Sequence, residues 1–173
     1  IISRAEMSGK LFYVFFSRLI TALLNFVVII ITARYLGAEA RGNISLILLA
    51  ITISQVVHQV LGGNSMIYFS RKTALINLLI PSSVWAIISA AFLTYILHFL
   101  KQIPENYEWH VFILSVIQSL IATNLTLLMA FEKVRTQNFI LFFTSLLLFG
   151  WIVFSIVWLK HNTITEYIIA LYI

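Results

Sequence analysis

The sequence predicts an all-α fold, a polytopic bundle of transmembrane helices. Hydrophobic residues make up 61% of the 173 residues and charged residues only 10%, whereas an ordinary soluble domain has roughly 25% charged residues. Four stretches of 23 to 29 residues contain no Asp, Glu, Lys or Arg, and a spanning helix needs about 20 apolar residues. The stretches are continuously apolar and do not alternate with polar residues, which favours helices over membrane strands.

Charged residues mark the ends of the predicted helices, and the loops between them, such as 34–43, are short. Pro81 lies in the third apolar stretch and either kinks that helix or marks its first turn. The last stretch is cut off at Ile173, so we expect five complete helices and a truncated sixth in a single transmembrane domain over 1–173, with both chain ends as fragment boundaries. The predicted helices cover about 11–33, 44–69, 74–99, 109–131, 138–159 and 163–173.

The distribution of Lys and Arg indicates the orientation in the membrane. A cytoplasmic N-terminus puts six basic residues inside and four outside, a bias that favours this orientation over the reverse. The inside residues are Arg4, Lys10, Arg71, Lys72, Lys133 and Arg135, and the outside residues are Arg34, Arg41, Lys101 and Lys160. The net charge of +5 is spread singly or in pairs between apolar runs, which argues against a nucleic-acid partner.

The residue types exclude most catalytic chemistry. The chain has no Cys and no Asp, and its four His lie on different segments without ligand spacing. It has no P-loop and no dinucleotide fingerprint. We therefore expect no enzyme activity, no cofactor and no metal site.

Polar residues inside the first predicted helix form one face. Arg18, Thr21 and Asn25 follow at steps of three and four, which places them on the same side of a helix. A charge within a bilayer usually faces a bundle interior or a wet cavity, so Arg18 is a candidate to meet an anionic group such as a phosphate. Alternatively, Arg18 snorkels to the nearby headgroups and serves as an anchor.

A second polar stripe lies on the second predicted helix. It comprises Thr52, Gln55 and Gln59, with His58 beside it. The stripe either lines a cavity or holds the helices together through hydrogen bonds. We predict that it turns toward the Arg18 face, because lipid is the worst surroundings for either stripe. The substrate-binding candidates are thus Arg18, Thr21, Asn25, Thr52, Gln55 and Gln59.

Gly62 and Gly63 interrupt the second predicted helix near its cytoplasmic end. Such a break suits a hinge in a transporter that alternates its access between the two sides. Close packing against a neighbouring helix explains the two glycines equally well.

Two stretches resemble a known family. Ala33–Gly42 reads ARYLGAEARG, directly after the first apolar helix, and Met129–Asn138 reads MAFEKVRTQN, after the fourth. The two stretches resemble the polysaccharide and O-antigen flippases of the multidrug/oligosaccharidyl-lipid/polysaccharide exporter superfamily. The order of helices and the loop lengths over most of the chain are similar to that family as well. The resemblance implies that the chain is most of one of two helical lobes.

The resemblance also implies a function, a place and partners. The function is flipping a polyprenyl-diphosphate-linked oligosaccharide from the cytoplasmic to the outer leaflet of the bacterial inner membrane, for cell-surface polysaccharide biosynthesis. Arg18 would meet the diphosphate. The implied partners are this lipid-linked oligosaccharide, membrane lipids and other membrane proteins of polysaccharide assembly.

Two alternatives remain open at the level of sequence. One is a multidrug or cation antiporter of the same superfamily, against which the lack of carboxylates inside the spans counts, Glu166 excepted. The other is a membrane scaffold or subunit that transports nothing, against which only the polar stripes argue.

Overall fold

The computed structural model describes residues 4–158 and 163–172, and every regular element within them is an α-helix. The all-α prediction is therefore confirmed for the described part of the chain. The count of five complete helices and a truncated sixth stays a prediction. The helices are α1 (Arg4–Gly62), α2 (Asn64–Phe69), α3 (Leu75–Phe99), α4 (Glu108–Ala130), α5 (Val134–Val157) and α6 (Ile164–Tyr172).

Helix α1 runs through the region 34–43, where the sequence predicts a loop. Its backbone is helical on both sides of Gly37, and Gly37 itself is not, with φ 83° and ψ 171°. The expected ten-residue loop is thus replaced by a single glycine that interrupts the helix. A break this short needs a residue without Cβ, because the combination of positive φ and extended ψ is essentially restricted to glycine.

The described helices have the dimensions and apolarity of membrane spans. Three separate stretches of 23 to 25 residues qualify, namely Leu75–Phe99, Glu108–Ala130 and Val134–Ile156, and so does the 58-residue stretch Phe12–Phe69. Large side chains such as Phe92, Tyr95 and Phe99 lie exposed along α3. An exposed aromatic surface of this kind is suited to contact with lipid tails, as in a multi-pass membrane protein.

The chain forms two compact units. One unit combines the residues up to Ala38 with those from Val134 onward, and the other is Glu39–Lys133. In the first unit, the Ser155 hydroxyl of α5 donates to the Glu166 carboxylate of α6 (3.3 Å). The prediction of a single transmembrane domain stays a prediction.

The core of the Glu39–Lys133 unit is built by α1, α3 and α4. Its fully buried residues include Ile44 and Ile47 on α1, Ala86 and Ala90 on α3, and Leu114 on α4. The alanines let neighbouring backbones approach closely, as small residues do in membrane bundles. Pro81 lies inside α3, seven residues into the helix, and so does not mark its first turn.

Candidate functional site

A polar groove lies in the first unit, between the N-terminal part of α1 and the start of α5. Its volume is about 210 Å³. We call it the Arg18 groove, and it is lined by Ser17, Arg18, Thr21, Ala22, Asn25, Asn138 and Leu141. Three of the six candidate residues therefore lie together, as their spacing on one helical face requires.

The groove combines one charge with several amide and hydroxyl groups. Arg18 and Asn25 are exposed side chains, whereas Thr21 is half-buried. The Thr21 hydroxyl donates to the Ser17 carbonyl of its own helix at 2.9 Å. Its proton is thus already in use, and it can only accept hydrogen bonds from a ligand. On the α1 side of the groove, Arg18 and Asn25 are exposed donors, and Ser17 adds a half-buried hydroxyl.

Asn138 is a groove residue that sequence reasoning missed. It is only 1% exposed, and its Nδ2 donates to the Val134 carbonyl at 3.0 Å. Its Oδ1 is buried without a hydrogen-bond partner among the described residues. The available signal was the polar pair Gln137-Asn138 at the head of an otherwise apolar run.

Thr52, Gln55 and Gln59 lie in the other unit, on the C-terminal part of α1. Thr52 and Gln59 are exposed and Gln55 is half-buried. The Thr52 hydroxyl donates to the Leu48 carbonyl of its own helix at 2.7 Å. No described contact joins this stripe to a ligand cavity, and its predicted packing against the Arg18 face stays a prediction.

His58 serves as a hydrogen-bonding link between helices. Its ring is 1% exposed, and its Nε2 lies 2.8 Å from the Thr123 Oγ1 of α4. The Ser82 hydroxyl of α3 lies 3.2 Å from the same Thr123 oxygen. Three helices thus meet at one threonine, and among the described residues no group of His, Cys, Asp or Glu is arranged to hold a metal.

Gly62 and Gly63 have close neighbours that account for both glycines. A Cβ on Gly62 would lie 2.2 Å from His58 Nε2, and one on Gly63 would lie 2.4 Å from the Gln59 carbonyl oxygen. Both neighbours belong to α1 itself, which ends at Gly62. The two roles that the sequence left open, a hinge and packing against a neighbouring helix, both stay predictions.

A polar side-chain contact lies at each end of the Glu39–Lys133 unit. Arg71 lies 2.8 Å from Glu132 and also donates to the Ala130 carbonyl at 3.3 Å, which ties the turn before α3 to the end of α4. At the opposite end, His98 Nδ1 lies 3.2 Å from Glu108 Oε1. The second end carries a cavity of about 630 Å³ that includes Asn43 and Lys101.

The Arg18 groove is thus the described site in which a cation and buried amide chemistry meet. A guanidinium beside amide groups can hold an anion that also carries hydrogen-bonding atoms. Comparison with protein-family models, with curated proteins and with solved structures finds no match to the chain.

Proposed function

We propose that the chain is part of a membrane transporter that flips a polyprenyl-diphosphate-linked oligosaccharide across the bacterial inner membrane. In this proposal it forms most of one lobe of a two-lobe flippase, with its N-terminus in the cytoplasm. The observation that carries the proposal is the Arg18 groove, in apolar helices. Arg18 lines it together with Asn138, a buried amide whose Oδ1 has no hydrogen-bond partner among the described residues. The resemblance of ARYLGAEARG and MAFEKVRTQN to flippases supports the same function.

The chemistry of the groove suits a diphosphate. A guanidinium presents a planar fork of donors that matches phosphate oxygens, and it keeps its charge when partly buried. Surroundings of low dielectric constant strengthen such a pair. The amide of Asn25, two helical turns from Arg18, adds a donor and an acceptor for the neighbouring part of the ligand.

A cation antiporter is the competing function, and Glu166 is the observation that favours it. This carboxylate lies half-buried in α6 and accepts a hydrogen bond from Ser155. Antiporters couple to ions through intramembrane carboxylates, and a carboxylate within a membrane-spanning segment marks a functional candidate. A variant at Glu166 therefore belongs in the same experiment.

The first prediction tests Arg18 in the full-length protein. The Arg18→Ala variant is expressed in cells that lack the native gene. These cells should lose most of their surface polysaccharide, because the variant no longer offers the diphosphate a fork of hydrogen-bond donors. Arg18→Lys should keep part of it, since the charge remains. Surface polysaccharide is measured at matched protein level in the membrane.

Arg135→Ala is the matched control, since it removes the same charge from an exposed position that does not line the groove. It should support wild-type polysaccharide. Wild-type polysaccharide from Arg18→Ala would reject the proposal and leave Arg18 as an interfacial anchor. Ion-coupled efflux that Glu166→Gln abolishes and Arg18→Ala leaves intact would favour the antiporter instead.

A further inference from the structure

One side of the Asn138 amide has no partner. Its Nδ2 donates to the Val134 carbonyl at 3.0 Å, which fixes the orientation of the amide, because a flipped amide would set two acceptor oxygens against each other. Oδ1 then points away from that carbonyl, buried and without a partner among the described residues. Since an unpartnered polar group within a bilayer is expensive, this oxygen requires a donor.

Arg18 is the groove residue best suited to supply that donor. The Thr21 hydroxyl donates to the Ser17 carbonyl at 2.9 Å, and Asn25 lies two helical turns along α1. Ser17 also lines the groove, but it offers a single hydroxyl on a short side chain. Arg18 lines the same 210 Å³ groove as Asn138 and carries five donors on a long side chain. Within the described part of the chain, no hydrogen bond or ion pair holds its guanidinium in place.

We infer that Asn138 positions the Arg18 guanidinium by accepting a hydrogen bond at Oδ1. One edge of the guanidinium is held by the amide, and the remaining donors face the groove as a fork. Asn138 is therefore a positioning residue, which acts on the ligand through Arg18. The purpose of this contact, binding a diphosphate, rests on the proposed function. The contact itself is inferred from the buried Oδ1 and from the groove that both residues line.

The contact predicts how fast Arg18 reacts with an arginine-directed dicarbonyl reagent such as phenylglyoxal. The full-length protein in nanodiscs is treated with the reagent, and modification of Arg18 is followed by mass spectrometry. Asn138→Leu should raise the rate by about tenfold, because the guanidinium loses a charge-assisted hydrogen bond. Asn138→Asp should lower the rate below wild type, because a carboxylate holds the guanidinium more firmly. A folding defect would not produce these opposite changes.

Gln137→Leu is the matched control for Asn138→Leu. Gln137 is the preceding residue, is also a buried amide, and its Oε1 is also unpartnered among the described residues, but it does not line the groove. The rate at Arg18 should match wild type in this variant. Equal rates in Asn138→Leu and wild type, or equal increases in Asn138→Leu and Gln137→Leu, would overturn the inference.

A second arm adds polyprenyl diphosphate as the probe and so separates the inference from the proposed function. In the wild type, the probe should slow the modification of Arg18. No protection would count against the proposed function and leave the Asn138 contact standing. Protection together with an unchanged rate in Asn138→Leu would reject the contact and leave the function standing.

Discussion

The side chains of this chain differ in how much hydrogen-bonding capacity they leave for other helices or ligands. The hydroxyls of Thr21, Thr32, Thr126 and Thr144 donate to carbonyls one turn earlier in their own helices, at 2.8 to 2.9 Å. Such hydroxyls add little to a binding site, since their O–H already donates to a carbonyl of their own helix. A stripe of hydroxyl residues in the sequence is therefore weak evidence for a polar cavity. A stripe that carries amides or charges is stronger evidence.

His58 differs from these threonines because it forms its hydrogen bond with another helix. Its ring fills the space above Gly62 and reaches Thr123 on α4 at 2.8 Å. Ser82 adds a third helix to the same hydroxyl at 3.2 Å. Residue 62 must therefore be a glycine, because the ring of His58, one turn earlier on the same helix, occupies the space of its Cβ.

At this scale we predict that Gly62→Ala destabilises the protein. Its Cβ would displace the His58 ring and break the bond to Thr123, at a cost of about 2–4 kcal/mol from overpacking and an unsatisfied buried nitrogen. Gly150→Ala is the control, because a Cβ there meets nothing within 4 Å. It should be neutral or stabilise by up to about 1 kcal/mol, since alanine favours the helix. Thermal unfolding in detergent measures both, and equal midpoints would contradict the assigned role of Gly62.

A single residue, Gly37, interrupts helix α1. Its residues on either side of Gly37 are helical, and the backbone of Gly37 alone departs, at φ 83° and ψ 171°. Only glycine adopts this combination without strain. The residue that ends the ARYLG stretch is therefore also the residue that separates the two helical segments of α1.

Gly37→Ala should accordingly cost about 1–3 kcal/mol of stability through backbone strain. Gly42→Ala offers a close comparison, because Gly42 lies five residues further along α1 and also has open space around its Cβ position. With space equal at both sites, a difference between the variants reports on backbone conformation alone. Unfolding midpoints of the full-length protein in detergent provide the measurement, and an unstrained Gly37→Ala variant would argue against the break at this glycine.

Sequence reasoning worked best where charge sets the boundary of an element. The stretches predicted at 74–99 and 109–131 correspond closely to α3 and α4, because charged residues and short turns bound them on both sides. It failed at 34–43, where Arg34, Glu39 and Arg41 suggested a loop although all three lie in helical backbone, on either side of the break at Gly37. Composition alone does not distinguish charged helical residues from charged loop residues.

The candidate site was predictable only in part, for a related reason. Helical periodicity places Arg18, Thr21 and Asn25 on one face without any tertiary knowledge. Asn138 comes from a different helix 120 residues from Arg18 along the chain, so no local pattern pairs it with Arg18. Its burial with a free carbonyl oxygen becomes visible only in three dimensions.

At the scale of the whole molecule, the Glu39–Lys133 unit has two distinguishable ends. Arg71 and Glu132 pair at one end, and His98 and Glu108 approach at the other, so α3 and α4 run antiparallel. The first end carries three basic residues, Arg71, Lys72 and Lys133, and one acidic residue, Glu132. The second end carries Arg41 and Lys101 with Glu39, Glu105 and Glu108. The excess of basic residues at the Arg71 end favours the cytoplasm for that end.

The last prediction is therefore that Lys72 faces the cytoplasm and that Gln102 faces the opposite side. Both residues are exposed in turns at opposite ends of α3, and the 173 residues contain no native cysteine. Single Lys72→Cys and Gln102→Cys variants of the full-length protein, with any cysteine elsewhere replaced, are treated with a membrane-impermeant maleimide. In intact cells Gln102→Cys should be labelled, and Lys72→Cys should be labelled only after permeabilisation. Labelling of Lys72→Cys in intact cells, with Gln102→Cys protected, would reverse the orientation and put the Arg71–Glu132 pair outside.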